Sequence, residues 1–137
     1  MRVRQAIVQA LKDEMTNDPS LILFGEDIAA AEGPFKTSEG LLEQFGPDRV
    51  RDTPISEMAF TGAAVGAAMM GMKPVIEIMF MEFLGVALDQ LVTEAAKMHY
   101  LSNGEYSVPM VVRASNASGL GFGSQHSQTL ENWVNAT

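Results

Sequence analysis

Residues 52–60 read DTPISEMAF and place one acidic side chain, Glu57, where a strand gives way to a helix. A short strand over residues 49–52 is predicted to end at Pro54, because proline cannot donate to a sheet ladder. The residues that follow Glu57, 58–70, carry no charge and are mostly Gly, Ala, Met and Val, so they predict a fully buried helix. A carboxylate at the start of a buried helix needs a partner, in the protein or in a ligand.

The position of Glu57 allows two interpretations. A helix dipole stabilises an ionised carboxylate in the first turn by roughly 0.3–1 kcal/mol, so Glu57 could hold a protonated ring nitrogen or an amine. It could equally complete a helix cap that Ser56 begins. The segment by itself leaves both open.

Outward from this segment, short apolar runs alternate with helical patterns. Predicted helices span residues 3–17, 38–45, 58–70 and 83–100, with a last one from 129, and predicted strands span residues 21–24, 49–52, 74–80 and 109–112. Ser38 is expected to cap the second helix. The alternation predicts an α/β fold, a mainly parallel sheet flanked by helices, with residues 1–137 as one domain.

Parallel sheets bind ligands outside the carboxyl ends of their strands. The segments expected at that edge are residues 25–27 with Glu26, residues 55–57 with Glu57, residues 79–83, and the loop 119–128. We therefore expect these segments to form the functional site.

The loop 119–128 begins GLGFG, a G-x-G-x-G spacing that differs from the dinucleotide fingerprint and is a weak phosphate signal. We interpret it as a mobile, glycine-jointed loop that presents His126. The unperturbed pKa of histidine lies near neutrality, so His126 could exchange protons or donate a hydrogen bond to an oxyanion.

Two further features have a functional and a structural interpretation. Phe80 and Phe83 flank Glu82 at a strand end and could stack on a flat ligand ring or belong to the core. The small residues of the helix after Glu57 could allow close contact with another subunit or tight packing on the helix's own sheet. Neither pair of interpretations is decided by the pattern.

Composition and motifs argue against several classes of protein. The net charge of -8 argues against nucleic-acid binding, and no run reaches the ~20 apolar residues of a membrane helix. No cysteine is present, and the histidines are far apart, so we expect no metal site within the chain. No G-x-S-x-G hydrolase motif occurs. The expected location is the cytoplasm, or an organellar matrix where the organism has organelles.

Several segments together resemble a known family, the β subunits of thiamine-diphosphate-dependent 2-oxo acid dehydrogenases and acetoin dehydrogenases. The similarity covers nearly all 137 residues and corresponds to the N-terminal half of such a subunit, a pyrimidine-binding domain of the transketolase type. In chain order, the segments are GED at 25–27, FK at 35–36, GL at 40–41, FG at 45–46, DTPISE at 52–57, AVGAA at 64–68, DQ at 89–90, AAK at 95–97 and QHSQ at 125–128.

The resemblance implies roles for particular residues. Glu57 would hydrogen-bond the aminopyrimidine ring and so activate the cofactor, whose ylid attacks the substrate carbonyl. Phe83 would stack on the pyrimidine with Met81 nearby, and Glu26 would lie near the pocket and orient Glu57 or a water molecule. His126 would line the substrate channel and hydrogen-bond the 2-oxo acid or assist acyl transfer to a lipoyl group.

The resemblance also implies partners. An α subunit would hold the diphosphate and its Mg²⁺ in an α2β2 assembly, a lipoyl-bearing acyltransferase would accept the acyl group, and a further C-terminal domain would serve assembly. The chain alone is expected to be inactive, with Glu57 facing an open, solvent-filled half-pocket.

The substrate stays open between a 2-oxo acid and acetoin, because residues 80–83 read FMEF where pyruvate-specific relatives tend to have TFNF. The alternatives are a non-catalytic binding or assembly module that keeps the fold and, less favoured for want of basic residues, a sugar-phosphate enzyme of the transketolase type.

Overall fold

The apolar run at residues 21–24 forms the inner strand of the sheet. In the computed structural model, which describes residues 2–116 and 119–136, β1 (Leu21–Gly25) lies between β2 (Val50–Asp52) and β3 (Lys73–Ile78). Strand β4 (Val111–Ala114) lies outside β3, and the strand order is β2-β1-β3-β4. Every pairing is parallel, which confirms the predicted α/β fold.

Helices pack on both faces of the sheet. They are α1 (Val3–Asn17), α2 (Leu41–Phe45), α3 (Glu57–Met69), α4 (Leu84–Leu88), α5 (Ala96–Leu101) and α6 (Asn132–Asn135), with a 3₁₀ turn at Met81–Phe83 and a π-helical segment at Asp89–Ala95. Within the part of the chain that the structure describes, no helix is long and apolar enough to cross a membrane.

The sheet separates two apolar layers, because successive side chains of a strand point to opposite faces. Leu23 and Val75 face α1 and α2, while Phe24 and Ile76 face α3 and α4. This explains why β1 and most of β3 are continuous apolar runs rather than alternating ones. Full burial of each such side chain contributes about 1.5–3 kcal/mol.

Gly25 allows β1 to approach β3 closely at the carboxyl end of the sheet. A Cβ atom at this position would lie 2.5 Å from the backbone oxygen of Glu77, its partner in the strand register. Real Cβ atoms do not come that close to a backbone atom, so only glycine fits without a shift of one strand.

Helix α3 is not fully buried, so that expectation is wrong. Its inner side is buried, but Met58 is 51% exposed and Met70, just past its end, is 82% exposed, with Ala63 and Gly66 also exposed between them. Gly62 packs tightly, since a Cβ there would lie 2.9 Å from the side-chain oxygen of Gln90 in the π-helical segment. An outer stripe of small residues therefore remains uncovered in this chain.

Other boundaries also differ from the prediction. Ser38 does not cap α2, which begins after Gly40; its hydroxyl instead donates to the Ile28 carbonyl at 2.5 Å. Strand β4 begins at Val111 rather than 109. The helical pattern over residues 83–100 is confirmed, although it contains the π-helical segment, which apolar spacing does not reveal.

Substitution of Gly25 by alanine is expected to destabilise the fold by about 1–3 kcal/mol, because the new methyl group meets the β3 backbone. Gly66→Ala is the matched control: no atom lies within 4 Å of a Cβ there, and alanine in a helix is favoured over glycine by about 0.5–1 kcal/mol. Urea unfolding of both variants measures the difference. Equal stability of the two variants would contradict the close approach.

Candidate functional site

Two acidic side chains meet at the carboxyl end of the sheet. Glu26 directly follows β1, and Glu57 is the first residue of α3. Both are only 7% exposed, and their carboxyl groups are within hydrogen-bonding reach of each other. The structure thus brings together the acidic residues of the segments GED and DTPISE.

Burial raises the pKa of Glu26 from 4.5 to about 7, with the negative charge of Glu57 and the hydrogen bond between the carboxyl groups acting in the same direction. One oxygen of Glu26, Oε1, is buried without a hydrogen-bond partner. Below a pH of about 7, Glu26 is therefore largely protonated. A buried carboxyl group whose pKa is raised in this way marks a candidate functional site.

The structure does not support the interpretation of Glu57 as part of a helix cap. Ser56 occupies the N-cap position of α3, but its side chain makes no capping hydrogen bond. The expectation that Glu57 faces an open, solvent-filled half-pocket in this chain is also wrong, since the side chain is buried against Glu26.

Aromatic rings cluster around Phe80, just after β3. Its ring centroid lies 5.1 Å from that of His126, 5.9 Å from Phe122, 6.0 Å from Phe35 and 6.2 Å from Phe83, all edge to face. His126 also lies 5.3 Å from Phe83. We call this group the Phe80 cluster; it brings the predicted residues Phe83 and His126 together.

The loop that carries His126 folds back on residues 80–83. The Phe122 N–H donates to the hydroxyl of Ser127 at 2.9 Å, and the Gln128 N–H donates to Glu82 Oε1 at 2.5 Å. Gly119, Gly121 and Gly123 have positive φ angles, which glycine adopts without strain. Residues 117 and 118, at the start of the predicted Gly/Ser segment, lie outside the described residues.

Met81 lies on the other side of the same turn. Its N–H donates to the Ser115 carbonyl at 2.9 Å, and its side chain lines a cavity of about 410 Å³ together with Leu84, Val112 and Val134. Its predicted proximity to a bound pyrimidine stays a prediction.

A buried ion pair holds β4 against β3 at this end of the sheet. Glu77, 3% exposed, accepts a hydrogen bond from Arg113 Nη1 at 2.5 Å, and the Thr37 hydroxyl lies 2.9 and 3.0 Å from its two carboxylate oxygens. Only Glu77 stood out in the sequence, as the single acidic residue of an apolar strand. Its partners are distant in the chain, and no sequence signal linked them to it.

Asp52 is a second residue that sequence reasoning did not single out. Its carboxylate accepts the N–H groups of Ala29 and Ala30 at 2.7 and 3.1 Å and so anchors the segment that follows Glu26. Among residues 2–116 and 119–136, no group of three or more acidic, histidine or cysteine side chains is arranged to hold a metal ion.

The family of the chain follows from comparison with known proteins. Residues 1–137 match the family described as "Transketolase, pyrimidine binding domain". The chain belongs to this family, and the fold predicted from the resemblance is confirmed.

Within that class, the chain is similar to β subunits of pyruvate dehydrogenase. It is 48% identical over 133 residues to the mitochondrial pyruvate dehydrogenase E1 component subunit beta-2 of Oryza sativa subsp. japonica, covering 97% of this chain and 35% of the relative. It is 46% identical over 133 residues to the mitochondrial E1 component subunit beta of Saccharomyces cerevisiae (97% and 36%). It is 45% identical over 126 residues to the E1 component subunit beta of Rickettsia bellii (92% and 39%).

These matches confirm the resemblance to 2-oxo acid dehydrogenase β subunits that the DTPISE and QHSQ segments predict. The chain spans between 35% and 39% of the length of these relatives.

Stability should report the raised pKa of Glu26. Because the folded state keeps a proton that the unfolded state has already lost, stability should fall as pH rises from about 4.5 to about 7. Glu26→Gln should remove this loss of stability. Below pH 4.5 the variant and the parent should have the same free energy of unfolding, and at pH 8 the variant should be more stable by up to about 3 kcal/mol. Urea unfolding at the two pH values measures it.

The matched control for this experiment is Glu105→Gln, at an exposed residue beyond α5, which should leave the pH dependence unchanged. A Glu26→Gln variant with the same pH dependence as the parent would show that Glu26 titrates normally.

Proposed function

We propose that this chain forms the pyrimidine-binding part of the β subunit of a thiamine-diphosphate-dependent 2-oxo acid dehydrogenase. The observation that carries the proposal is the buried pair of Glu26 and Glu57 at the carboxyl end of a parallel sheet. Family membership and the similarity to pyruvate dehydrogenase β subunits support it.

The residues at this edge would hold the aminopyrimidine of the cofactor. Glu57 would hydrogen-bond the ring nitrogen, with its negative charge favoured by the start of α3. Glu26, whose pKa burial raises to about 7, would lie beside Glu57 and orient it toward the ring. Phe83 would offer a flat ring for stacking, since its ring lies beside that of His126 at the same edge.

When bound, thiamine diphosphate supplies a carbon nucleophile that adds to the 2-oxo group and accepts the electron pair released with CO₂. The protein's part is to hold the pyrimidine and to move its protons at Glu57. His126 would donate a hydrogen bond to the oxygen of the substrate carbonyl or assist transfer of the acyl group to a lipoyl group. Edge contacts with Phe80 and Phe83 hold its ring in place.

The rest of the site would come from a partner. From the resemblance to the family, we assign Mg²⁺ and the diphosphate to an α subunit. The exposed stripe of α3, with Met58, Ala63, Gly66 and Met70, is consistent with a subunit contact in an α2β2 assembly. A lipoyl-bearing acyltransferase would accept the acyl group. Residues 80–83 read FMEF and depart from the TFNF of pyruvate-specific relatives, so a 2-oxo acid and acetoin both stay candidate substrates.

Glu57→Gln in the full β subunit, assembled with its α subunit, should lower cofactor-dependent decarboxylation about a hundredfold or more, because the amide cannot accept a proton. The measurement is release of CO₂ from pyruvate, with assembly followed by size-exclusion chromatography. Glu105→Gln is the matched control and should retain activity. Full activity of an assembled Glu57→Gln enzyme would remove Glu57 from the mechanism.

The same assay tests the competing function. A non-catalytic assembly module should bind its α partner and show no decarboxylation even with the parent sequence. Cofactor-dependent CO₂ release by the parent complex excludes that class.

Residues 1–137 alone should show no decarboxylation, since the groups proposed to hold the diphosphate lie on another chain. Incubation of the purified chain with pyruvate, Mg²⁺ and thiamine diphosphate checks this, with the assembled enzyme as the positive control. Turnover by the isolated chain would show that residues 1–137 contain the complete catalytic site, including the groups that bind the diphosphate.

A further inference from the structure

Residues 80–83 contact the His126 loop at several points. Phe80 packs against Phe122, four residues before His126, and against the imidazole ring itself, at 5.9 and 5.1 Å between centroids. Glu82 accepts the N–H of Gln128, two residues after His126, at 2.5 Å. The loop is thus held on both sides of the histidine and at the histidine ring.

Glu82 is an unusual side chain for a turn of this kind. The residue is half-buried, and its second oxygen, Oε2, is buried without a hydrogen-bond partner. A carboxylate in such surroundings lowers the stability of the folded state, because in the unfolded chain water solvates both of its oxygens. Its charge does, however, strengthen the hydrogen bond from the Gln128 backbone.

The imidazole ring has little freedom within this frame. Its plane is 86° from that of Phe80 and 81° from that of Phe83, so it meets both rings edge to face. The Phe122 N–H also donates to Ser127, which closes the loop on itself around His126. Loss of Phe80 or of the Glu82 hydrogen bond would therefore free the His126 ring to move, although the imidazole itself stays intact.

We propose that Phe80 and Glu82 are positioning residues for His126, which they hold beside Phe83 through the Phe80 cluster and the hydrogen bond from Gln128. The effect of Phe80 and Glu82 on catalysis rests on the proposed function. Their effect on the placement of the loop is independent of it.

The first test reads the loop directly, without activity. In the purified protein, Glu82→Ala should speed hydrogen exchange at the Gln128 amide about tenfold or more, and Glu82→Gln, which keeps an acceptor, should change it much less. Phe80→Leu should move the His126 ring resonances toward random-coil positions, because the ring loses an aromatic neighbour. Glu105→Ala and Phe45→Leu, both distant from the loop, are the matched controls.

The second test uses the assembled enzyme with pyruvate and free lipoamide. Glu82→Ala and Phe80→Leu should each lower kcat for acyl transfer about tenfold, since small displacements of a reacting group carry large costs. In a His126→Ala background, the same substitutions should have no further effect. This non-additivity separates positioning of His126 from general damage to the fold.

The outcomes are distinct. Unchanged exchange at Gln128 together with unchanged His126 resonances would overturn the positioning role, whatever the activity. If the His126 resonances change but the parent enzyme shows no decarboxylase activity, the positioning role stands and the proposed function is rejected. Equal losses of kcat with and without His126 would overturn the catalytic part of the inference.

Discussion

The close approach of β1 and β3 is the constraint on which the functional edge depends. Gly25 lies against the backbone of Glu77, and β1 ends at Gly25 while β3 ends one residue after Glu77. Glu26 leaves β1 at that level, and residues 79–83 leave β3 just beyond it. Because neighbouring parallel strands end at one edge, segments that are far apart in the chain converge there.

At this edge the protein buries more acidic groups than its stability alone would favour. Glu77 is compensated by Arg113 and Thr37, so its charge is paired. In the part of the chain that the structure describes, Glu26 and Glu57 lie beside each other rather than beside a basic residue, and desolvation raises the pKa of Glu26. A buried carboxyl group with a raised pKa is typical of functional sites, so this edge of the sheet is the candidate site.

The Phe80 cluster joins three segments that are distant in the sequence. Phe80 contacts four other rings, so a single side chain links the segment before α2, the turn before α4 and the loop after β4. The outer stripe of α3, by contrast, remains exposed in this fold.

The sequence alone determined the α/β fold and the family. Apolar runs flanked by helical patterns are local signals, and DTPISE and QHSQ are contiguous, so both can be recognised without coordinates. It also identified Glu57, Phe83 and His126 as candidates, because each follows a predicted strand or lies in a glycine-rich loop. The exposure of α3 could not be predicted, since Gly and Ala are compatible with both core and surface.

Only the tertiary structure decided the contacts of the histidine loop and the burial of the acidic pair. The Glu82–Gln128 hydrogen bond, which joins residues 46 positions apart, depends on strand order and register rather than on any local pattern. The family resemblance implied that Glu26 lies near Glu57, but the burial of both side chains is visible only in the folded chain. A pKa shift arises from desolvation and neighbouring charge, and both are properties of the folded chain.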